Sequence, residues 1–451
     1  MHPSDAVRLP LLAALAVLAI VILIARVRLH AFLAITVVSL ALAISAGMTP
    51  STAVRAFQDG VGSTLGFIAI VIGLGSIFGK LLAESGAAQV VAATVVAAVG
   101  TRALPWAVAA LGFVLGLPVF FSVGLVLLFP IVVGLAASSG RPLLTLALPL
   151  VAGLSASHGL VPPHPGPLAA IERVGADTGG TILFAVLCAI PAVILGGPVA
   201  IRLLRPGASH PLPVPDTSAA GPVRTPGFRT SVVTLLLPVL LMLSATIGDF
   251  ALASDNVARR WIDFAGSPSV AMLIATLVAL RVFGTSCGFP LASIVRFVEN
   301  SLGPIASVLL IVGAGGGFGR VLEQAGVGQA IATAASGLHV STLVAAWILA
   351  ALLRVAVGSA TVAITTSASL MAPVAAADPG TNRELLVVAL GAGSIVASHV
   401  NDGGFWLVKE YLGLDVGQTL RSWTVIETIL SVTALIAAVM LNALLTPTPS
   451  P

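Results

Sequence analysis

The sequence predicts an all-α polytopic membrane protein made of two homologous repeats with broken helices. Three observations predict it. Of 451 residues, 58% are hydrophobic and only 8% charged, with a mean hydropathy of +1.11, whereas a soluble domain carries about 25% charged residues. Many windows approach the run of about 20 apolar residues that crosses a bilayer as a helix. The third observation is a self-match. Residues 73–89 read GLGSIFGKLLAESGAAQ and residues 313–329 read GAGGGFGRVLEQAGVGQ, at one offset of 240 residues.

The chain opens with an apolar run at 9–25, preceded by Arg8 and followed by Arg26, Arg28 and His30. A cleaved signal carries its positive residues before the apolar stretch, so this reads as an uncleaved first span. In the self-matching blocks Phe78, Gly79, Lys80, Gly86 and Gln89 answer Phe318, Gly319, Arg320, Gly326 and Gln329. Further on, SASH (155–158) is answered by VASH (396–399), and the last spans, 180–203 and 423–445, keep nearly the same offset. The expected organisation is a first repeat over 1–203, a linker over 204–229 and a second repeat over 230–451.

The linker is rich in Pro, Gly and Ser. With the adjoining Arg202, it sets Arg205, Arg224 and Arg229 against one acid, Asp216. Positive charge marks cytoplasmic loops, which places both this linker and the Arg26/Arg28 loop inside. An even number of crossings then separates the two loops, the first repeat crosses an odd number of times, and the second repeat is inverted. Lys80 and Arg320 would then lie near opposite faces. The apolar runs suggest about 12–14 transmembrane segments, with 88–100 and the hairpin-like 103–139, broken at Pro118, as runs that need not cross.

Polar groups at membrane depth usually line a pathway, and non-helical backbone there is tolerated only where it is buried or lines water. Four stretches meet both conditions. SASHGLVPPHPGP (155–167) holds Ser157, His158, Gly159 and His164 among four prolines, and ASHVNDGGFW (397–406) holds His399, Asn401 and Asp402. GLPVFFSVG (116–124) carries Ser122, and RVAVGSATVAITTSAS (354–369) carries Gly358, Ser359, Thr361, Thr365 and Thr366. Two broken segments per half is the arrangement around a mid-membrane transport site. Each also has a plain structural reading. The histidines could tie a broken helix to a carbonyl, and the Ser/Thr run could serve helix packing. His164 reads as structural, since the other half shows no counterpart. Glu172, Arg173 and Asp177 read as interfacial.

Sharper motifs fail. The glycines at 313–319 do not fit G-x-G-x-x-G, and no P-loop is present, so nucleotide binding and ATP-driven transport are excluded; the glycines suit close helix packing. His158 and His164 lack the spacing and third ligand of a zinc site. Cys188 and Cys287 form no metal or disulfide framework. The net charge of +4 comes from scattered arginines, which is not the stripe a nucleic acid needs.

SASHGLVPPHPGP, GAGGGFGRVL, RVAVGSATVAITTSA and SHVNDGGFWLVKEYLGL together resemble the signature blocks of the gluconate:proton symporter family (GntP-type permeases), in order over nearly the whole chain. The resemblance implies import of gluconate or a related sugar acid across the bacterial inner membrane, driven by protons. It also implies the inverted-repeat, hairpin-containing architecture of a wider ion-transporter group, with elevator-like movement. Its implied site places the carboxylate on freed amides near Gly358–Thr361 and the Ser157–His158–Gly159 turn, with Asn401 on the polyol. His158, His399 and Asp402 take the coupling proton. One departure stands out: family members often have an acid after the paired aromatics, where this chain has Ser122. No metal or organic cofactor is implied. Expected partners are the sugar-acid anion, a proton and the bilayer, with Na⁺ coupling, another hydroxy acid (glycerate, fructuronate, idonate) and a homodimer left open. A channel and a membrane enzyme are the rival classes.

Overall fold

A bilayer core offers no hydrogen-bond partners, so an apolar segment must satisfy its own backbone, and a helix does so within one segment. The computed structural model describes residues 5–204, 224–253, 255–327, 341–378, 380–399 and 402–445, and among them helix is the regular structure throughout, with no strand. Most of the expected linker, and Asn401, lie outside the described residues.

The first half runs α1 (Asp5–Ala25), α2 (Ala31–Ser45), α3 (Pro50–Glu84), α4 (Ala87–Ala98), α5 (Leu104–Gly116), α6 (Phe121–Ser139), α7 (Leu144–Leu160), α8 (Pro165–Val174) and α9 (Thr178–Ile194). A π turn, Leu195–Val199, then leads into α10 (Ala200–Leu204). The second half runs α11 (Phe228–Ala251), α12 (Val257–Gly266), α13 (Pro268–Ala279), α14 (Leu291–Leu302), α15 (Ala306–Gln324), α16 (Thr342–Val357), α17 (Ala360–Ala377), α18 (Arg383–Ile395) and α19 (Gly403–Leu412). It closes with α20 (Val416–Thr419), a π turn at Leu420–Thr424 and α21 (Val425–Leu445). Prolines open several of these helices (Pro50, Pro165, Pro268), where the missing N–H costs nothing.

Among the described residues, seven helices are long and apolar enough to cross a membrane, and an eighth if α3, bent by 40° between Gly66 and Ala69, counts as one span. That is fewer than the 12–14 segments the apolar runs suggest. The difference has a physical cause. Apolar runs are interrupted by Gly, Pro and polar residues, so α2, α4, α5 and much of α16 remain apolar helices of 10–17 residues, below the length of about 20 that spans a bilayer.

The helices sort by environment. In the most apolar 18-residue stretch of the broken span Leu144–Val174, 89% is buried, whereas in that of Val416–Leu445 only 22% is. Helix α9 is apolar on both sides: Ile182, Ala185, Cys188, Ala189 and Ala192 face the protein, and Leu183, Leu187, Ile190 and Ile194 form an exposed stripe at helical spacing. A helix apolar all round belongs in lipid. In α12 the exposed Val257, Trp261 and Phe264 share one face, flanked by Arg260 and opposed by Arg259 and Asp263, the pattern of a helix lying in the membrane interface.

Glycines set how closely the central helices meet. A Cβ on Gly112 or Gly153 would strike the backbone of the facing helix, at Leu150 and Ala109, so α5 and α7 touch main chain to main chain. In the second half a Cβ on Gly393 would lie 2.5 Å from the Trp347 carbonyl oxygen, giving α16 and α18 the same contact. The repeat block at 313–319 does pack helices: Gly316 and Gly317 lie against Gly60 and Phe57 of α3. The same glycines make room for Arg173. Instead of sitting at an interface, its guanidinium is largely buried, donates to Thr64 at 2.7 Å and lies 3.5 Å from Glu172. Asp177, in contrast, is an exposed cap of α9, accepting from the Gly180 amide at 2.6 Å.

Candidate functional site

Four helix pairs are interrupted, at 117–120, 161–164, 358–359 and 396–402. In the first, Pro118 has no N–H to continue α5. In the second, Pro162, Pro163 and Pro165 stop α7 and restart the chain as α8. In the third, Gly358 adopts φ +79°, a left-handed conformation that glycine enters without steric cost. Ser359 then caps α17, its hydroxyl accepting from the Val362 amide at 3.3 Å. In the fourth, the chain leaves α18 at Val396 and re-enters helix at Asp402, whose carboxylate accepts from the Gly404 amide at 2.9 Å.

All four interruptions, or the residues next to them, line one cavity of about 780 Å³. Of the residues the sequence singles out, Ser122, His158, Gly358, Ser359, Thr361 and Asp402 are in its wall. Ser157, Gly159 and His399 are placed elsewhere. The Ser157 hydroxyl is buried and donates to the Leu154 carbonyl. Gly159 lies where α7 crosses α18, and a Cβ on the facing Gly391 would sit 2.5 Å from the Gly159 oxygen. His399 is half-buried, with Nε2 3.0 Å from the Val355 carbonyl.

The wall is rich in unfilled donors. The first-turn amides of a helix have no intrahelical acceptor. Helix α6 begins at the cavity with Phe121, Ser122 and Val123 in the lining and no side-chain cap. Helix α17 begins there too, with Ala360 and Thr361 in the lining ahead of the capped Val362. Two helix N-termini converging on one space favour an anion.

Two charged residues that sequence reasoning passed over complete the wall. Arg354, 4% exposed, donates through Nη1 to the Gly358 carbonyl at 2.7 Å and through Nη2 to Asp402. The Asp402 carboxylate also accepts from Ser398, which in turn accepts from the Trp423 indole at 2.8 Å. One arginine thus clamps two helix breaks together. Its Nε is buried without a partner among the described residues, and so is Oε1 of Glu427, on α21. Both residues line the cavity. The signal existed: each is a lone charge inside an apolar run, and such charges mark pathways.

The histidines fall into an ordered chain. His164 Nε2 lies 2.8 Å from the Gly116 carbonyl, which only accepts, so Nε2 carries the proton. In its neutral form His164 presents a bare Nδ1, 3.3 Å from Nδ1 of His158. His158 therefore donates through Nδ1 and keeps Nε2 as an acceptor. Since His158 lines the cavity, that acceptor suits a hydroxyl. Replacing His164 by Leu strands a buried carbonyl and should lower stability by about 1–3 kcal/mol. Gln, whose amide N–H₂ reaches a similar position, should recover most of the loss. Thermal unfolding in detergent would show it, and equal melting of the Leu and wild-type proteins would remove the tautomer-fixing role.

Residues 9–445 match the family described as GntP family permease. A gluconate permease of Pseudomonas aeruginosa is 42% identical over 439 residues, covering 95% of this chain and 96% of the relative. The Gnt-II system L-idonate transporter of Escherichia coli K12 is 39% identical over 422 residues, covering 93% and 95%. Among solved structures, the YdaH transporter of Alcanivorax borkumensis superposes with a TM-score of 0.66 at 18% identity, covering 91% of this chain and 97% of that one. This last likeness speaks to the fold.

Proposed function

This chain belongs to the GntP family of permeases, and on that premise we propose that it imports gluconate or a closely related sugar acid across a bacterial inner membrane, with protons, by alternating access. It is a multi-pass membrane transporter, not an enzyme. The observation that carries the substrate reading is the cavity, where four helix breaks place two helix N-termini, that of α6 without a side-chain cap, and a buried arginine around one space. A volume of about 780 Å³ lies within the range of about 300–1,000 Å³ typical of small-molecule sites.

In this reading the carboxylate lies on the amides of Phe121–Val123 and Ala360–Thr361, within reach of the Arg354 guanidinium. The hydroxyls meet His158 Nε2, Ser122 and Thr361. Ser359, whose hydroxyl accepts from the Val362 amide, keeps its O–H to donate to the substrate. Asp402 is committed to Arg354, Ser398 and Gly404, so it organises the site. His399, bonded to the Val355 carbonyl outside the lining, braces the second-half break. Relatives bearing the names gluconate permease and L-idonate transporter are almost equally similar to this chain, which supports a sugar acid as the substrate class.

A membrane potential opposes entry of a bare monoanion by about 2.3 kcal/mol per 100 mV, and one accompanying proton cancels that. Alternating access fits inverted repeats moving past one another in an elevator-like stroke, the arrangement the linker charges suggest.

The test is uptake of labelled gluconate into proteoliposomes with pH and Na⁺ gradients imposed separately, and with idonate, glycerate and fructuronate as competitors. Concentrative uptake driven by an acidic exterior is the expected result. Accumulation driven by Na⁺ alone would reassign the coupling ion. Flux without accumulation would make the protein a channel, and no flux would overturn the substrate.

A further inference from the structure

Glu427 stands near the start of α21, 1% exposed, in the wall of the cavity. Oε1 has no hydrogen-bond partner among the described residues, and the Ser155 hydroxyl, also in the cavity wall, lies beside the carboxyl. The substrate contacts described above leave it without a task. A buried carboxylate that only served packing would be expected to have both oxygens satisfied, because an unpaired buried charge is among the costliest features a fold can hold.

The neighbouring charges explain why a carboxyl in this place has consequences. Four other titratable or charged groups line the cavity, namely Arg354 from α16, Asp402 ahead of α19, His158 from α7 and Lys80 from α3. Arg354 and Asp402 are paired with each other. Lys80 is paired with Glu84 at 2.5 Å. His158, in the neutral form set by His164, adds no charge. These partners cancel, and Glu427 decides whether the cavity carries a net negative charge. When ionised it repels an incoming sugar-acid anion, and when protonated it does not.

We infer that Glu427 binds and releases the transported proton. The inference rests on the reading of this chain as a proton-coupled sugar-acid permease. From the outer side, a proton from water adds to the Glu427 carboxylate, forming one O–H bond, and the neutral cavity then admits the anion. On the inner side, the anion leaves and the same O–H bond breaks, returning the proton to water. One proton and one monoanion cross together, and Glu427 ends as it began. Ser155 fits both states, because a hydroxyl donates to a carboxylate and accepts from a carboxylic acid. The proton site and the anion site share one cavity, so each ligand favours the other's binding by the same factor.

The test is Glu427→Gln, which keeps the shape and mimics the protonated form. In proteoliposomes, labelled-gluconate counterflow reports binding and alternation, and a trapped pH dye reports proton entry. The variant should keep counterflow, lose the proton entry that accompanies gluconate, and lose accumulation driven by a pH gradient. Proton entry that persists in the variant would overturn the inference. Loss of counterflow would overturn it too, since Glu427 would then be a structural residue. A wild-type protein that moves no gluconate would instead overturn the functional reading beneath it, so the two failures are distinguishable.

Discussion

Alanine at position 354 should abolish concentrative uptake and destabilise the protein by about 3–5 kcal/mol, the cost of breaking a buried ion pair from one side. Arg354 satisfies the Gly358 carbonyl and Asp402 at once, and removing it leaves a carbonyl and a carboxylate without their donor. The other contacts of Asp402, Ser398 and the Gly404 amide, hold it in place as the cap of α19, so its carboxylate would stay at the cavity wall without its countercharge. Lysine should rescue poorly. It brings charge without the planar fork that reaches two acceptors in fixed directions. Asp402→Asn should be milder than Arg354→Ala, since an amide oxygen still caps α19. The Arg354→Ala/Asp402→Ala double variant should be less destabilised than the two single effects combined, because no charge is then stranded. Melting in detergent, read beside uptake, checks each step. A wild-type melting point for Arg354→Ala would remove the clamp from the fold and the argument from the site.

The all-α membrane class was legible from composition alone, and the helix breaks from punctuation. Pro118, the prolines at 162–167, Gly358 and the Gly403–Gly404 pair all fall at or beside interruptions of helix. Their convergence on one cavity was legible only as an expectation from repeat symmetry. Individual roles were harder. Ser157 and Gly159 share the short SASHG string with His158, yet successive helix positions point about 100° apart. His158 reaches the cavity, while Gly159 meets α18 and Ser157 bonds its own helix.

The histidine correspondence shows a second limit of reading by offset. The string match pairs His158 with His399. The hydrogen bonds pair His399 with His164 instead: each ties a break to a carbonyl at the end of the preceding short helix, Val355 for His399 and Gly116 for His164. The break after α7 covers 161–164 and the one after α18 covers 396–402, so a role can be kept while the register slips. Arg354 and Glu427 were missed for another reason. Each is a lone charge inside an apolar run, a signal that names no partner, and only packing shows that these stretches meet in the interior of this protein.

Glutamate at position 122 should make gluconate binding weak at neutral pH and restore it in acid. Ser122 sits in the uncapped first turn of α6, in the cavity wall. A carboxylate there would compete with the substrate for the same free amides and repel its charge. At a separation of about 5 Å and an effective dielectric of about 20, two like charges oppose each other by about 3 kcal/mol, on the order of a hundredfold in affinity. The sign with pH follows from which form repels. The ionised form prevails as pH rises, so the dissociation constant should climb with pH, by up to about tenfold per unit, and level off once the bound complex has also lost its proton. Ser122→Gln separates charge from size: it adds similar bulk and no titration, so its affinity should be nearly flat with pH. The glutamate variant also tests whether such a group alone adds a proton-linked step to this cavity. Equal affinity in the Glu and wild-type proteins at every pH would place the α6 amides outside the anion site. The carboxylate would then rest on Arg354 and the first turn of α17 alone.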